Sequence, residues 1–361
     1  MMIMVVHMRK WILSITALLM GFSPLSAADL TIEQIAKLTG PDRQKILEEG
    51  AKKEGELLWV GSFNEDNAKP MLDLFVQRYP FIKVNRVRTD STKALQRVLA
   101  EFRAKSSKTD LITSSAVVDL KKAGAIQAFK SPTLDAYPAE DYDPDGYWAP
   151  FVFYYFGLAA YNTDQVKAAM VPKTYEDLLN PQWKSHIVVN AGSSGMPFFI
   201  TFLRMQWGDA KAISYLEKLS AQKVIGRTES SRTVFGMMIS GEHKIMIHPF
   251  LSHVGEAARK GAPVDVTMVD PVPYTASPLM LNKLAPHPYA SMLLIDFLLD
   301  KDAQSILRDA GYFPTHPDVT PAEAIAPYVP KTHGLKKFLV DETEMANMMP
   351  ETMAIYQRLF E

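Results

Sequence analysis

The sequence predicts an α/β protein of two lobes joined by two crossing strands, and three observations carry that reading. Short apolar strands alternate with amphipathic helices, and the alternation occurs twice along the chain. Between the two alternations, FVFYYFGLAAYN stays apolar for the 11 residues before Asn162, too long for an ordinary strand and too short for a bilayer, as expected of a strand leaving one lobe for another. A chain of 361 residues is also longer than a single core usually supports.

Two short helical stretches come first, with Ile32, Ile35 and Leu38 in one and Ile46 in the other. ELLWVGS (56–62) reads as a buried strand, followed by a helix over 66–79 with Met71, Leu72, Phe75 and Val76 on one face. IKVNRV is the next strand, and the helix from Ser91 places Leu95, Val98, Leu99 and Phe102 at i, i+3, i+4, i+7. TDLITSS is the third strand. Residues 131–150, rich in Pro, Asp and Tyr, read as a surface linker. The second alternation runs through HIVVN, KVIG, KIMIHP and VDVTMV with helices between, and YTASPLMLN (274–282) reads as the return crossing. The helical segment 287–361 is expected to pack back on the first lobe. The division is therefore 28–152 with 276–361 for lobe 1 and 153–275 for lobe 2.

The N-terminus reads as an export signal: Arg9 and Lys10, the apolar run WILSITALLM, then Ser26, Ala27 and Ala28 for cleavage after Ala27 or Ala28. A run of about ten apolar residues is half of what a bilayer-spanning helix needs, so the mature chain is expected to be free of the membrane. Removing residues 1–27 leaves 37 basic and 40 acidic side chains, a balance that argues against nucleic-acid binding. The absence of cysteine excludes disulfides, thiolate nucleophiles and cysteine metal sites, and in an exported chain it suggests a bacterial periplasm. A monomer is the expected state.

In open parallel sheets, ligands sit beyond the carboxyl ends of strands, where helix amides face them. Five such places carry hydroxyl or amide residues: Ser62, Phe63 and Asn64; Thr89, Asp90 and Ser91; Ser114 and Ser115; Ser193 and Ser194; and Thr228, Ser230 and Ser231. Any one of these is explained by helix capping alone, but five on equivalent edges of two facing lobes suggest a lined cleft. No catalytic arrangement accompanies them. GSSGM lacks the centred serine of a nucleophile elbow, and no GxxxxGK[ST] loop is present, so neither enzyme activity nor a cofactor is expected.

The run AKKEGELLWVGSFNEDNAKPMLDLFVQRYPFIKVNRVRTDSTKALQRVLAEF, the element LAAYNTD, the GEHKI at Gly241 and LLIDFLLDKDAQSILRDAGYFP resemble, in order, the extracellular solute-binding proteins of bacterial ABC importers. The subgroup it resembles includes ferric-iron, thiamine, polyamine, phosphonate and sugar-phosphate binders. The resemblance implies a type II-like periplasmic-binding-protein fold, a small-molecule solute as ligand and a membrane permease as partner. In the family's ferric binders, two adjacent tyrosines follow the strand after the GE turn; the matching positions here are Leu251 and Ser252, which cannot supply phenolates. The adjacent pair Tyr154 and Tyr155 lies in a strand, where alternation sends the rings to opposite faces.

His243, His248 and His253 recur at even spacing, but five residues on a helix turn two side chains about 140° apart, so a zinc site is not expected. His248 and Phe250 are expected instead in a pocket wall, with Phe63 and Tyr274 as further flat contacts. Arg88, Arg227 and Arg232 beside the hydroxyls favour a carboxylate, phosphate or sulfonate ligand. Glu65, Asp66, Asp90 and Glu229 leave a cationic ligand open. A metal carrier and, more distantly, a secreted hydrolase remain the alternatives.

Overall fold

The structure is a computed structural model and describes residues 30–361; the expected export signal lies outside the described residues. The strands are β1 (Glu56–Gly61), β2 (Lys83–Arg88), β3 (Leu111–Thr113), β4 (Ile126–Gln127), β5 (Ala149–Tyr155), β6 (Ala159–Asn162), β7 (Ile187–Asn190), β8 (Ile225–Arg227), β9 (Ile245–Ile247), β10 (Val264–Thr267), β11 (Val272–Asn282) and β12 (Lys337–Leu339). The helices are α1 (Ile32–Ala36), α2 (Arg43–Glu54), α3 (Glu65–Arg78), α4 (Ser91–Arg103), α5 (Val117–Lys122), α6 (Met196–Trp207), α7 (Asp209–Ser220), α8 (Ser231–Ile239), α9 (Leu251–Arg259), α10 (Pro288–Leu299), α11 (Lys301–Asp309) and α12 (Glu342–Phe360).

The strands form two sheets. The first has the order β12-β11-β3-β1-β2, with β4 and β5 also pairing β11, and the second the order β10-β6-β9-β7-β8. The expected parallel strands are present, β1 with β2 and β3, and β7 with β8 and β9. Antiparallel strands complete each sheet, β11 against β3 and β5 in the first and β6 against β9 and β10 in the second. Each sheet has its own core, Trp59, Phe75 and Phe151 marking the first and Trp183, Phe199 and Phe202 the second. This is the two-lobed α/β architecture expected.

The crossings differ in detail from the expectation. The apolar run 151–162 is two strands, broken at Phe156–Leu158 as the chain passes between sheets. β5 and β11 both stay in the first sheet, antiparallel from Tyr274↔Tyr155 to Leu279↔Ala149 with an irregularity at Ser277/Pro278. The chain therefore changes lobes just after β5 and just before β11, outside both strands. The stretch 131–150 is tied down rather than draped, since Tyr137, Asp141 and Trp148 are buried.

The closing segment divides. α10 is buried along most of its length because the sheet covers one side and α2 the other, and Asp296 is its one charged residue; Gly50 lies so close to the Tyr289 ring that no side chain would fit there. α11 caps this lobe, where the buried Gln304 amide donates to the carbonyls of Phe151 and Leu298 and accepts from the Thr315 amide. α12, expected on the first lobe, packs instead on α6: Ile355 and Tyr356 enter the second core, and Thr352 bonds both Thr201 and Arg204. Arg204 also reaches Asp209 and Glu351, fastening the helix ends.

The buried charge that most constrains the first lobe is Asp296 on α10. Arg43 forks onto both of its oxygens and Ser131 donates to one at 2.7 Å, while burial pushes the carboxyl pKa up. Arg43→Ala leaves that carboxylate without its counter-charge and is expected to cost about 3–5 kcal/mol. Urea denaturation followed by circular dichroism checks this, and Arg43→Ala with Asp296→Leu is expected to recover part of the loss.

Candidate functional site

Because β1, β2 and β3 run parallel, the residues that follow them share one edge. The Thr89 amide donates to the Gly61 carbonyl at 3.0 Å, and the Ser115 amide to Ser91 Oγ at 3.3 Å, lacing the three turns together. The second lobe repeats the device: Asn190 donates to the Glu229 carbonyl at 2.6 Å and accepts from the Gly192 amide at 3.0 Å, drawing the turns after β7 and β8 together. Asn64 caps α3 and Ser230 caps α8. Ser62, Ser115, Ser193 and Ser230 are exposed, and Thr89, Ser91, Ser194 and Ser231 are half-buried.

A cavity of about 620 Å³ opens between the lobes. The first lobe lines it with Asn64, Asp66 and Asn67 at the start of α3 and with Arg308, Asp309 and Tyr312 at and beyond the end of α11. The second lobe adds Arg232 of α8 and the α9 face bearing Ser252, His253, Glu256 and Arg259. Tyr154 contributes from the crossing strand, its ring against Phe250 at 5.6 Å. Tyr155 turns the other way onto Phe313 at 5.0 Å, as strand alternation requires. Of the expected residues, the cavity gathers Asn64 and Arg232. The expected strand-end serines and Thr89 are not among its lining residues, and Phe250 packs against Tyr154.

Four expected contacts are corrected by burial. Phe63 is a core residue, stacked on Trp59 and edge-on to Phe151. Tyr274 is buried and donates to Asp141 at 2.7 Å, in a network completed by Lys337. Ser114 is buried, with Oγ bonded to the Ser91 carbonyl and the Ala116 amide. His248 is 2% exposed, stacked on Phe156 with ring centroids 4.2 Å apart and flanked by Phe198 and Phe199. Among the described residues neither of its ring nitrogens has a hydrogen-bond partner, and its φ of 55° is left-handed. The three histidines do not converge. His243 is buried beside Glu242, and among the described residues no group of three or more His, Asp or Glu is placed to hold a metal ion.

Electrostatically, the cavity is built from pairs. Arg232 donates to Glu256 at 2.6 Å, and Lys260 approaches the same carboxylate at 2.7 Å. Burial pushes the Glu256 carboxyl up, but the bonds from Lys260 and Arg232 outweigh it and hold the pKa at about 2. Arg308 donates to Asp309 at 2.8 Å. Burial, and secondarily the Arg232 charge, push His253 down to about 4, so it lines the cavity as a neutral ring. Asn67 donates to the Tyr312 hydroxyl at 2.8 Å, and burial raises both the Tyr312 and Tyr154 pKa values, keeping these phenols protonated. Arg259, Arg308 and Tyr312 were not anticipated. They sit at or beyond helix carboxyl ends, away from the strand ends where ligand contacts are expected from sequence.

Residues 106–331 match the family described as bacterial extracellular solute-binding protein. Among solved structures, the chain is similar to a ferric binding protein from Campylobacter jejuni, at 17% identity and a TM-score of 0.71, covering 84% of this chain and 99% of that one. It is also similar to Trichodesmium IdiA (FutA) in complex with iron and citrate ligands, at 18% identity and a TM-score of 0.70, covering 84% and 99%. A third is the periplasmic binding protein AfuA from Actinobacillus pleuropneumoniae with fructose-6-phosphate bound, at 19% identity and a TM-score of 0.68, covering 85% and 99%.

The buried imidazole has a measurable signature. Burial alone lowers its pKa from 6.5 to about 3, so the fold holds it neutral. The stability this represents is present above pH 6.5, and it is lost as acid protonates the unfolded chain while the native ring refuses the proton. His248→Phe deletes the titration, and the stability difference between variant and wild type is expected to move in the variant's favour by about 1.4 kcal/mol per pH unit below pH 6. Urea midpoints of both proteins between pH 7.5 and 4.5 read this out; parallel curves would contradict it.

Proposed function

Because the chain belongs to the bacterial extracellular solute-binding proteins, we propose that it is the periplasmic capture component of an ABC importer, closing its lobes on a small anionic solute and presenting the closed form to a permease. The observation that carries the proposal is the interlobe cavity, which a guanidinium lines from each side: Arg308 from the first lobe and Arg232 from the second. A carboxylate, phosphate or sulfonate bound there takes charge-assisted hydrogen bonds from groups on separate bodies. Those bonds form together only when the bodies approach, so ligand binding shifts the population toward closure. Asn64 and Ser252, which line the same cavity, supply neutral donors to the rest of the solute. The family is one of binding proteins.

Iron carried as a complex of an organic anion is the second reading, favoured by the Trichodesmium neighbour crystallised with iron and citrate. Such a complex would present its carboxylates to the same arginines. Ligation by the adjacent tyrosine pair of the family's ferric binders finds no support, since the matching positions are Leu251, which is fully buried, and Ser252.

Native mass spectrometry and elemental analysis of gently purified protein separate the two readings by the mass and metal content of the trapped ligand. With that ligand, Arg232→Ala is expected to weaken binding about tenfold or more in isothermal titration, the worth of one charge-assisted bond. The radius of gyration from small-angle scattering is expected to fall on saturation. An unchanged radius would remove the closure mechanism.

A further inference from the structure

Six charged side chains line the interlobe cavity, and four of them are already engaged. Arg232 is held by Glu256, and Arg308 by Asp309. The two left over are Asp66, in the first turn of α3, and Arg259, in the last turn of α9. Both are exposed, and neither side chain has a hydrogen-bond or ion-pair partner among the described residues. They are of opposite sign and belong to opposite lobes.

The walls as a whole share that asymmetry. The first lobe contributes two carboxylates and one guanidinium, the second two guanidiniums and one carboxylate, so the walls face each other with opposite net charge. The helix ends offset part of it, since the amino end of α3 behind Asp66 is partially positive and the carboxyl end of α9 behind Arg259 partially negative, but each is smaller than the full side-chain charge it lies behind.

We propose that Asp66 and Arg259 form an electrostatic latch between the lobes, an ion pair made on closure that favours the closed shape even without solute. Its effect rests on the field between two surfaces of opposite charge, which weakens as the Debye length shrinks from about 30 Å at 0.01 M salt to about 3 Å at 1 M. The closed population of the empty protein is therefore set partly by ionic strength. A solute then completes a closure that the protein has already begun, which removes part of the conformational cost of binding. The inference builds on the hinge-closure reading but needs no knowledge of the solute.

The absence of cysteine makes the test direct. Lys69→Cys on α3 and Lys218→Cys on α7, both exposed, accept spin labels on the two lobes, and double electron–electron resonance on solute-free protein reports the interlobe distance. A short-distance population is expected in about 20 mM salt and should fall roughly threefold or more at about 500 mM. Asp66→Arg or Arg259→Asp alone is expected to abolish the salt-sensitive part, and the two together to restore it. Single reversals that leave the distances and their salt response unchanged would overturn the proposal, as would a double reversal that restores nothing while melting temperatures stay at the wild-type value. Because no solute is present, failure of the latch leaves solute capture intact, and failure to find a solute leaves the latch readable.

Discussion

The antiparallel pairing of β5 with β11 is the constraint on which the two-lobed arrangement depends. Each strand is joined directly to a short segment that enters the second sheet, Phe156–Leu158 on one side and 268–271 on the other. Both strands are anchored in the first sheet by a ladder running from Tyr274↔Tyr155 to Leu279↔Ala149. The second lobe therefore hangs from three neighbouring points on one rigid edge, after β5, before β11 and at 340–341 between β12 and α12, and bending at these points changes the cleft while leaving both sheets unaltered. β12 reinforces that edge by pairing with Val272–Tyr274, and the buried Tyr274–Asp141–Lys337 network pins β12 in place.

The waist beside this edge is packed with rings instead of polar bonds. Phe156 stacks on His248 and touches Phe198 and Phe250, while the His248 amide donates to the Leu158 carbonyl and the Gly157 amide to that of Pro249. Ring faces slide past one another with little directional penalty, whereas side-chain hydrogen bonds across a moving joint would have to break. An imidazole without partners costs about 1–3 kcal/mol for each unsatisfied polar group. Contact with the Phe156 and Phe198 rings, whose centroids lie 4.2 Å and 5.1 Å from that of the imidazole, offsets part of that cost.

Much of the fold was legible because buried parallel strands announce themselves. ELLWVGS, TDLITSS and HIVVN read as strands from unbroken apolar runs, and each helix between them showed its face. What sequence could not tell was which core an apolar face would choose. Ile355 and Tyr356 make α12 amphipathic but carry no label for α6, so the helix was assigned to the lobe of its chain neighbours. The site was legible in outline only. Asn64 lines the cavity and was legible because capping and ligand binding select the same residue types at the same strand ends, whereas Ser230 caps α8 without lining it. Burial decided the rest: Phe63 and Tyr274 have side chains suited to a ligand wall but fill the core, a distinction set by residues distant in sequence such as Phe151 and Asp141. Arg259 and Arg308 escaped for the converse reason, since a basic residue in the last turn of a helix is ordinarily explained by the helix dipole alone.

The pairing of charges in the cavity bears on how such a site can bind firmly and still let go. A bare guanidinium cluster would repel itself across a narrow gap and would keep every arginine reaching for water in the empty state. With Glu256 beside Arg232 and Asp309 beside Arg308, each cation is held in position at modest desolvation cost, and part of its donor fork remains free for a solute. An arriving anion then competes with a carboxylate already present. The net gain per contact is smaller than for an unpaired arginine, but the geometry is fixed beforehand. On release the carboxylate keeps its arginine oriented, so no charge is stranded while the lobes part. Affinity in this design comes from the number of donors that converge on closure, which ties tight binding to the closed shape and weak binding to the open one.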